Sequence, residues 1–192
     1  MNLNVLVAET LKPLTLQEVK DFLRVVESDD DAYINMLISV VANRFKQITK
    51  RSCMPITYEA YLDGFCKKIF LEKPQVASVT SVEYMDTDGN WNTVSTSDYE
   101  TFLGDKQCYI EVNYGTTWPT GVMPRGDSVK ITYVAGYLTA DDIPAEAKEW
   151  MLVRLADMFE NRQSEIIGTI TSKMGFVDHM LDSLIVPEEF YS

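Results

Sequence analysis

Asp127–Arg162 reads DSVKITYVAGY and then LTADDIPAEAKEWMLVRLADMFENR. Val129, Ile131 and Tyr133 alternate with Lys130, Thr132 and Val134, the period of a strand. Gly136 breaks the run. Asp141 and Asp142 offer N-cap oxygens, and Pro144 sits where a first helical turn tolerates proline. Nothing then interrupts a helix from Ala145 to Glu160. Ala147, Met151, Leu155, Met158 and Phe159 form one apolar face, and Trp150, Leu152 and Val153 widen it. A helix apolar most of the way round is buried on most sides. It is either the centre of a single core or a helix shared with a neighbouring subunit. On the second reading Trp150, Leu152 and Val153 are the candidate subunit interface.

Working outward, the chain upstream of this unit divides in two. Met1–Pro13 is a short apolar lead, suited to an arm or an edge strand. Thr15 and Glu18 have the spacing of a capping box, and Leu16, Val19, Phe22 and Leu23 follow as a short amphipathic helix. Asp29-Asp30-Asp31 opens a longer helix with a stripe of Ile34, Leu37, Ile38, Val41, Phe45 and Ile48. The acids suit the positive end of a helix dipole, and Arg44, Lys46, Lys50 and Arg51 suit its negative end. A calcium loop would need a glycine and a distal glutamate that are missing here.

From Ile56 to Val134 the texture changes to strands and turns. Asp63-Gly64, Asp88-Gly89 and Gly104-Asp105 punctuate short alternating runs. Beyond Arg162, Ile166, Ile167 and Ile170 are apolar, and Val177, Met180, Leu181, Leu184 and Ile185 fit a second short helix. The expected fold class is therefore α+β. It comprises a helical core (14–52 and 143–162), a β-rich insertion near 56–134, and an extended C-terminal arm, 163–192, with a short helix. Residues 1–162 make the main domain.

Composition narrows the function. The 192 residues carry a net charge of −12, an unpromising balance for wrapping DNA or an anionic membrane. The lead lacks a basic region and a cleavage site, so no signal peptide is expected, and no apolar run reaches the length of a membrane span. Cys53, Cys66 and Cys108 have no C-x-x-C spacing and read as reduced thiols. His179 is the single histidine and has no metal-spaced partner. Phosphate-binding and dinucleotide fingerprints and a hydrolase elbow are missing. No catalytic, cofactor-binding or metal-binding residues are expected, and the chain reads as a non-enzyme. Tyr58, Tyr61, Trp91 and Trp118 could stack on sugars, but strand aromatics in a half-buried sheet explain them more simply. The surplus of apolar surface points to assembly.

The order of segments resembles the head-tail connector family of tailed phages and prophages, also called adaptor or head-completion proteins. The resemblance lies in LTLQEVKDFLRV (14–25) with DDDAYINMLISVVANRFKQITKRS (29–52), and in ASVTSVEYMDTDGNW (77–91) with SDYE (97–100). It continues in Trp118-Pro119 with SVKITYVAGY (128–137) and DIPAEAKEWMLVRLADMFENR (142–162), and in QSEIIGTI (163–170). It implies a structural virion protein at the head-tail interface, made in the host bacterial cytoplasm. Such proteins form a homo-oligomeric ring of about twelve copies beneath the portal protein. The ring joins the capsid to a tail or stopper protein, and DNA passes through it without specific binding. On this reading Ile166, Ile167, Ile170, Leu181 and Leu184 are the candidate portal-docking arm, and the domain should fold without that arm. A dozen copies would carry on the order of −140 charges, a field that repels phosphate from a channel. Other readings are a tail-terminator or other tail ring component, a carbohydrate-binding protein, and a DNA-packaging regulator that uses the basic cluster at Arg44–Arg51.

Overall fold

In a computed structural model, residues 1–161, 177 and 179–186 are described. The opening stretch folds as a strand, a turn and a helix. The strands in chain order are β1 (Asn2–Val7), β2 (Ile56–Leu62), β3 (Lys68–Leu71), β4 (Val76–Met85), β5 (Trp91–Thr93), β6 (Tyr99–Leu103), β7 (Cys108–Val112) and β8 (Val129–Ala135). The helices are α1 (Leu16–Leu23), α2 (Asp31–Thr49) and α3 (Ala145–Glu160). The α+β class expected from the sequence is the one observed.

Two cores coexist. The helical core packs Val19 of α1 and Ile34, Ile38, Val41 and Phe45 of α2 against Ala147, Trp150, Met151 and Leu155 of α3. The second core lies between an antiparallel five-stranded sheet, β1-β2-β8-β4-β5, and a three-stranded sheet, β3-β7-β6. Ala60, Val82, Ile131 and Tyr133 of the larger sheet meet Ile69, Leu71 and Ile110 of the smaller one. Strand β8 is flanked on both sides, and its alternation does not extend to exposure: Ile131, Thr132 and Tyr133 are all buried. The Tyr133 hydroxyl donates to the Glu72 carbonyl at 2.6 Å and so ties the two sheets together.

The lead is an edge strand, β1, paired antiparallel with β2. The sheet is therefore not confined to the insertion at 56–134. The chain starts in the sheet, leaves it for α1 and α2, and returns. Thr15 and Glu18 form the expected capping box. Asp31 does more than favour a dipole, since it pairs with Lys20 of α1 at 2.7 Å. Asp141 and Asp142 do not cap α3 directly. They lie in a 3-10 turn, Ala140–Asp142, in which Asp142 accepts from Thr139, and Pro144 then occupies the cap position of α3. The reason is steric: proline supplies no backbone N–H and fixes its own φ, so the chain turns once before the helix starts.

Helix α3 is explained by its own fold. Trp150 is 2% exposed and Leu155 fully buried, while Leu152 and Val153 are half-buried against the same core. The wide apolar surface packs in one cluster with α1, α2 and with Val177, Leu181 and Leu184. Trp150 is thus committed within its own chain rather than offered to a neighbour. The same correction applies to part of the C-terminal arm. Leu181 and Leu184 are buried in the helical core with Val177, in successive short turns closed by bonds such as Leu184 N to Leu181 O at 2.9 Å. An arm removed from 163 onward would strip apolar cover from α2 and α3, so the domain is not expected to stay intact without it. Ile166, Ile167 and Ile170 lie outside the described residues.

The turn between β8 and α3 has one permitted residue. Gly136 has φ of +116°, and a Cβ there would stand 2.2 Å from the Met54 carbonyl oxygen. Neither the conformation nor the space accepts a side chain. Gly136→Ala is expected to cost more than about 2 kcal/mol, read as a lower midpoint in urea unfolding, because backbone would have to move. An unchanged midpoint would contradict this close approach.

Candidate functional site

Where the two cores meet, the chain buries a charge. Arg51 follows the C-terminus of α2, whose cap residue Lys50 turns left-handed at φ 63°. That turn sends Arg51 inward, and its side chain has no exposure. Its Nη1 and Nη2 donate to the two carboxylate oxygens of Asp105 at 2.8 and 3.1 Å. Nη1 also donates to Gln75 Oε1 at 3.0 Å, and Nε donates to the Leu184 carbonyl at 2.7 Å. A planar guanidinium can serve several acceptors at fixed angles, which an ammonium cannot. One side chain thus joins the end of α2, the β3–β4 turn, the β6–β7 turn and the C-terminal segment. Tyr137 and Cys108 stand close enough to feel the arginine charge, yet burial is the stronger influence and pushes both their pKa values up.

The remaining candidates do not assemble chemistry. Cys53 is buried and donates to the Ala42 carbonyl, and desolvation pushes its thiol up to about 12. Cys66 is exposed and Cys108 buried, and all three are free. His179 is exposed and hydrogen-bonds Asp182 at 2.9 Å. Asp86 is held below its usual range by the backbone N–H of Asn90 and the Asn92 side chain, as the anchor of the β4–β5 hairpin. Among the described residues no group of histidines, cysteines and acids could hold a metal ion, and no helix is long and apolar enough to cross a membrane.

The four aromatics that could have stacked on sugars are scattered. Tyr58 is buried and stacks on Tyr133, Trp118 stacks on Phe65 at 4.7 Å, and Trp91 lies under Lys130. Tyr61 donates to Glu59. The basic cluster is half neutralised: Lys46 pairs with Glu9 and Arg51 with Asp105, while Arg44 bonds the neutral Gln47 and Lys50 is exposed. Two of its four charges are thus spent on carboxylates of the same chain. The Arg51 lock was missed from sequence because an arginine at a helix C-terminus is ordinarily an exposed partner of the dipole. The one local signal was Gly104-Asp105, a turn whose acid could reach inward.

Two measurements test this arrangement. Arg51→Met should lower stability by about 3 kcal/mol, since it leaves the Leu184 carbonyl and Gln75 without their donor. Asp105→Asn should cost clearly less, because Asp105 is largely solvated and Arg51 keeps two other acceptors. Equal losses in urea titration would contradict the lock. Thiol titration of the folded protein at pH 8 should give one fast-reacting cysteine, Cys66, and three once denatured.

Residues 13–83 match the model of the phage gp6-like head-tail connector protein family. The family resemblance read from the sequence therefore holds over α1, α2, β2, β3 and most of β4. No curated protein matches. Among solved structures, a chain in the neck of an empty GTA particle, computed with C6 symmetry, superposes with a TM-score of 0.78 at 19% identity. A chain in the virion of a native gene transfer agent particle gives the same values. In the neck of the native particle, computed with C12 symmetry, the TM-score is 0.67. Each superposition covers 98% of this chain and 97% of the other. Both sheets and all three helices thus recur as one fold in those particles.

Proposed function

We propose that this chain is a structural neck protein, a head-tail connector that forms a ring beneath the portal and continues the DNA channel toward the tail. The observation that carries the reading is the coverage. The fold matches a particle-neck chain over 98% of this chain and 97% of the other. The family match over 13–83 points the same way. Rotational symmetry in the similar necks supports a closed ring of copies, in which each subunit packs on the next through two different surfaces.

The reading makes the protein a structural component of the virion rather than an enzyme. Its net charge of −12 suits a conduit, since a ring of such copies repels the phosphates that pass through it. The portal contact falls to the apolar residues Ile166, Ile167 and Ile170. Leu181 and Leu184 serve it indirectly, by anchoring the segment that follows to the helical core.

Purified protein mixed with portal rings should co-migrate by size and appear in images as a closed ring stacked coaxially on the portal. Ile166→Asp with Ile167→Asp should abolish this while leaving the unfolding midpoint unchanged. Rings that ignore the portal but bind tail parts would move the protein to a tail-ring role, and a monomer that ignores both would end the connector reading.

A further inference from the structure

We infer that the sparsely charged strip formed by β1, the strap after it and the outer side of α2 is the surface on which a second copy of this chain seats. The inference rests on the ring reading and adds which face each subunit offers. The strip is built from two stretches. Glu9 pairs with Lys46 and the Lys12 ammonium donates to Asn35 at 2.7 Å, so residues 9–12 lie antiparallel across α2. Val5, Leu6 and Val7 on β1, Leu11 on the strap and Met36 on α2 are each more than half exposed, and Val40 is 41% exposed one turn beyond Met36.

Three observations make this an interface and not a scatter of exposed residues. First, charge is sparse there. The chain holds 29 acidic residues, yet Glu9 is the single one in Met1–Leu11, and it is already paired. On α2 the exposed positions from Ala32 to Gln47 include one charged residue, Arg44. Copies that each carry −12 repel one another unless they meet where carboxylates are missing, so such a face suits the chain's own copy. Second, β1 is an edge strand without charge, proline or glycine in its six residues. Among the described residues no strand pairs its outer edge. Proteins normally protect such an edge, and an unprotected one accepts a neighbour. Third, Val5 lies opposite buried Tyr58, on the core-facing side of the sheet, yet is 57% exposed. The sheet's apolar face runs past the layer that covers it.

The test is sedimentation velocity of the full chain over a concentration series, with circular dichroism as a check on folding. Wild type should assemble into rings. Met36→Glu with Val40→Glu, and separately Val5→Glu, should raise the concentration needed by about tenfold or more. Glutamate is compatible with an exposed helix, so the α2 pair should stay folded. Tyr114→Glu, at a fully exposed loop position, should assemble as wild type does. Wild-type rings with unaffected strip variants would overturn this surface and leave the ring reading standing. A wild type that forms no ring, alone or on portal, would remove the ring reading and this inference with it.

Discussion

A single buried guanidinium fixes the relation between the two halves of this molecule. Arg51 is a guanidinium whose side chain has no contact with solvent. A buried charge is tolerated only where acceptors surround it. Those acceptors come from Gln75, Asp105 and Leu184, so each of their turns must be in place for Arg51 to be in place. Apolar packing is non-directional and would let the helical and β cores slide against each other. The guanidinium, with fixed donor angles, does not.

That constraint explains an otherwise odd division of labour. Two apolar clusters share one chain, and the polypeptide crosses between them three times: from β1 to α1, from α2 to β2, and from β8 to α3. At the last crossing Gly136 lets the backbone pass against Met54. At the second, Arg51 and its neighbours Ser52 and Cys53 are buried, and the Ser52 hydroxyl bonds the Tyr58 hydroxyl at 2.9 Å. The crossings are held by polar bonds and close backbone contact, while the halves are held by apolar burial. Polar bonds at the crossings thus tie the helical and β halves to each other.

The same physics engages most of the reactive groups. Two of the three thiols are buried, with pKa values raised by desolvation. Lys46 and Arg51 are neutralised by carboxylates. Among the exposed large apolar side chains, Met1, Val5, Leu6, Val7, Leu11, Met36 and Val40 lie along β1, the strap and α2, where charge is sparse.

Much of this was legible in the residues. Period-two alternation at Val129–Tyr133, the glycine after it and the uninterrupted helix beyond Pro144 determined the strand-turn-helix unit. The Thr15–Glu18 spacing determined a capped helix, and Asp88-Gly89 and Gly104-Asp105 determined the two hairpins β4–β5 and β6–β7. These are local rules, acting over a few residues, and a sequence displays them directly. What it could not display was which apolar surface meets which. Leu181 and Leu184 looked available to a partner and Trp150 suited either a single core or a subunit contact, and the tertiary structure buries all three in the chain's own core. Arg51 looked like a helix-end charge, and the left-handed Lys50 sent it inside. The lead suited either an arm or an edge strand, and pairing with β2 made it the edge of the sheet. Each of those outcomes depends on residues far apart in the chain being brought together, and burial is decided only when both sides of a contact exist.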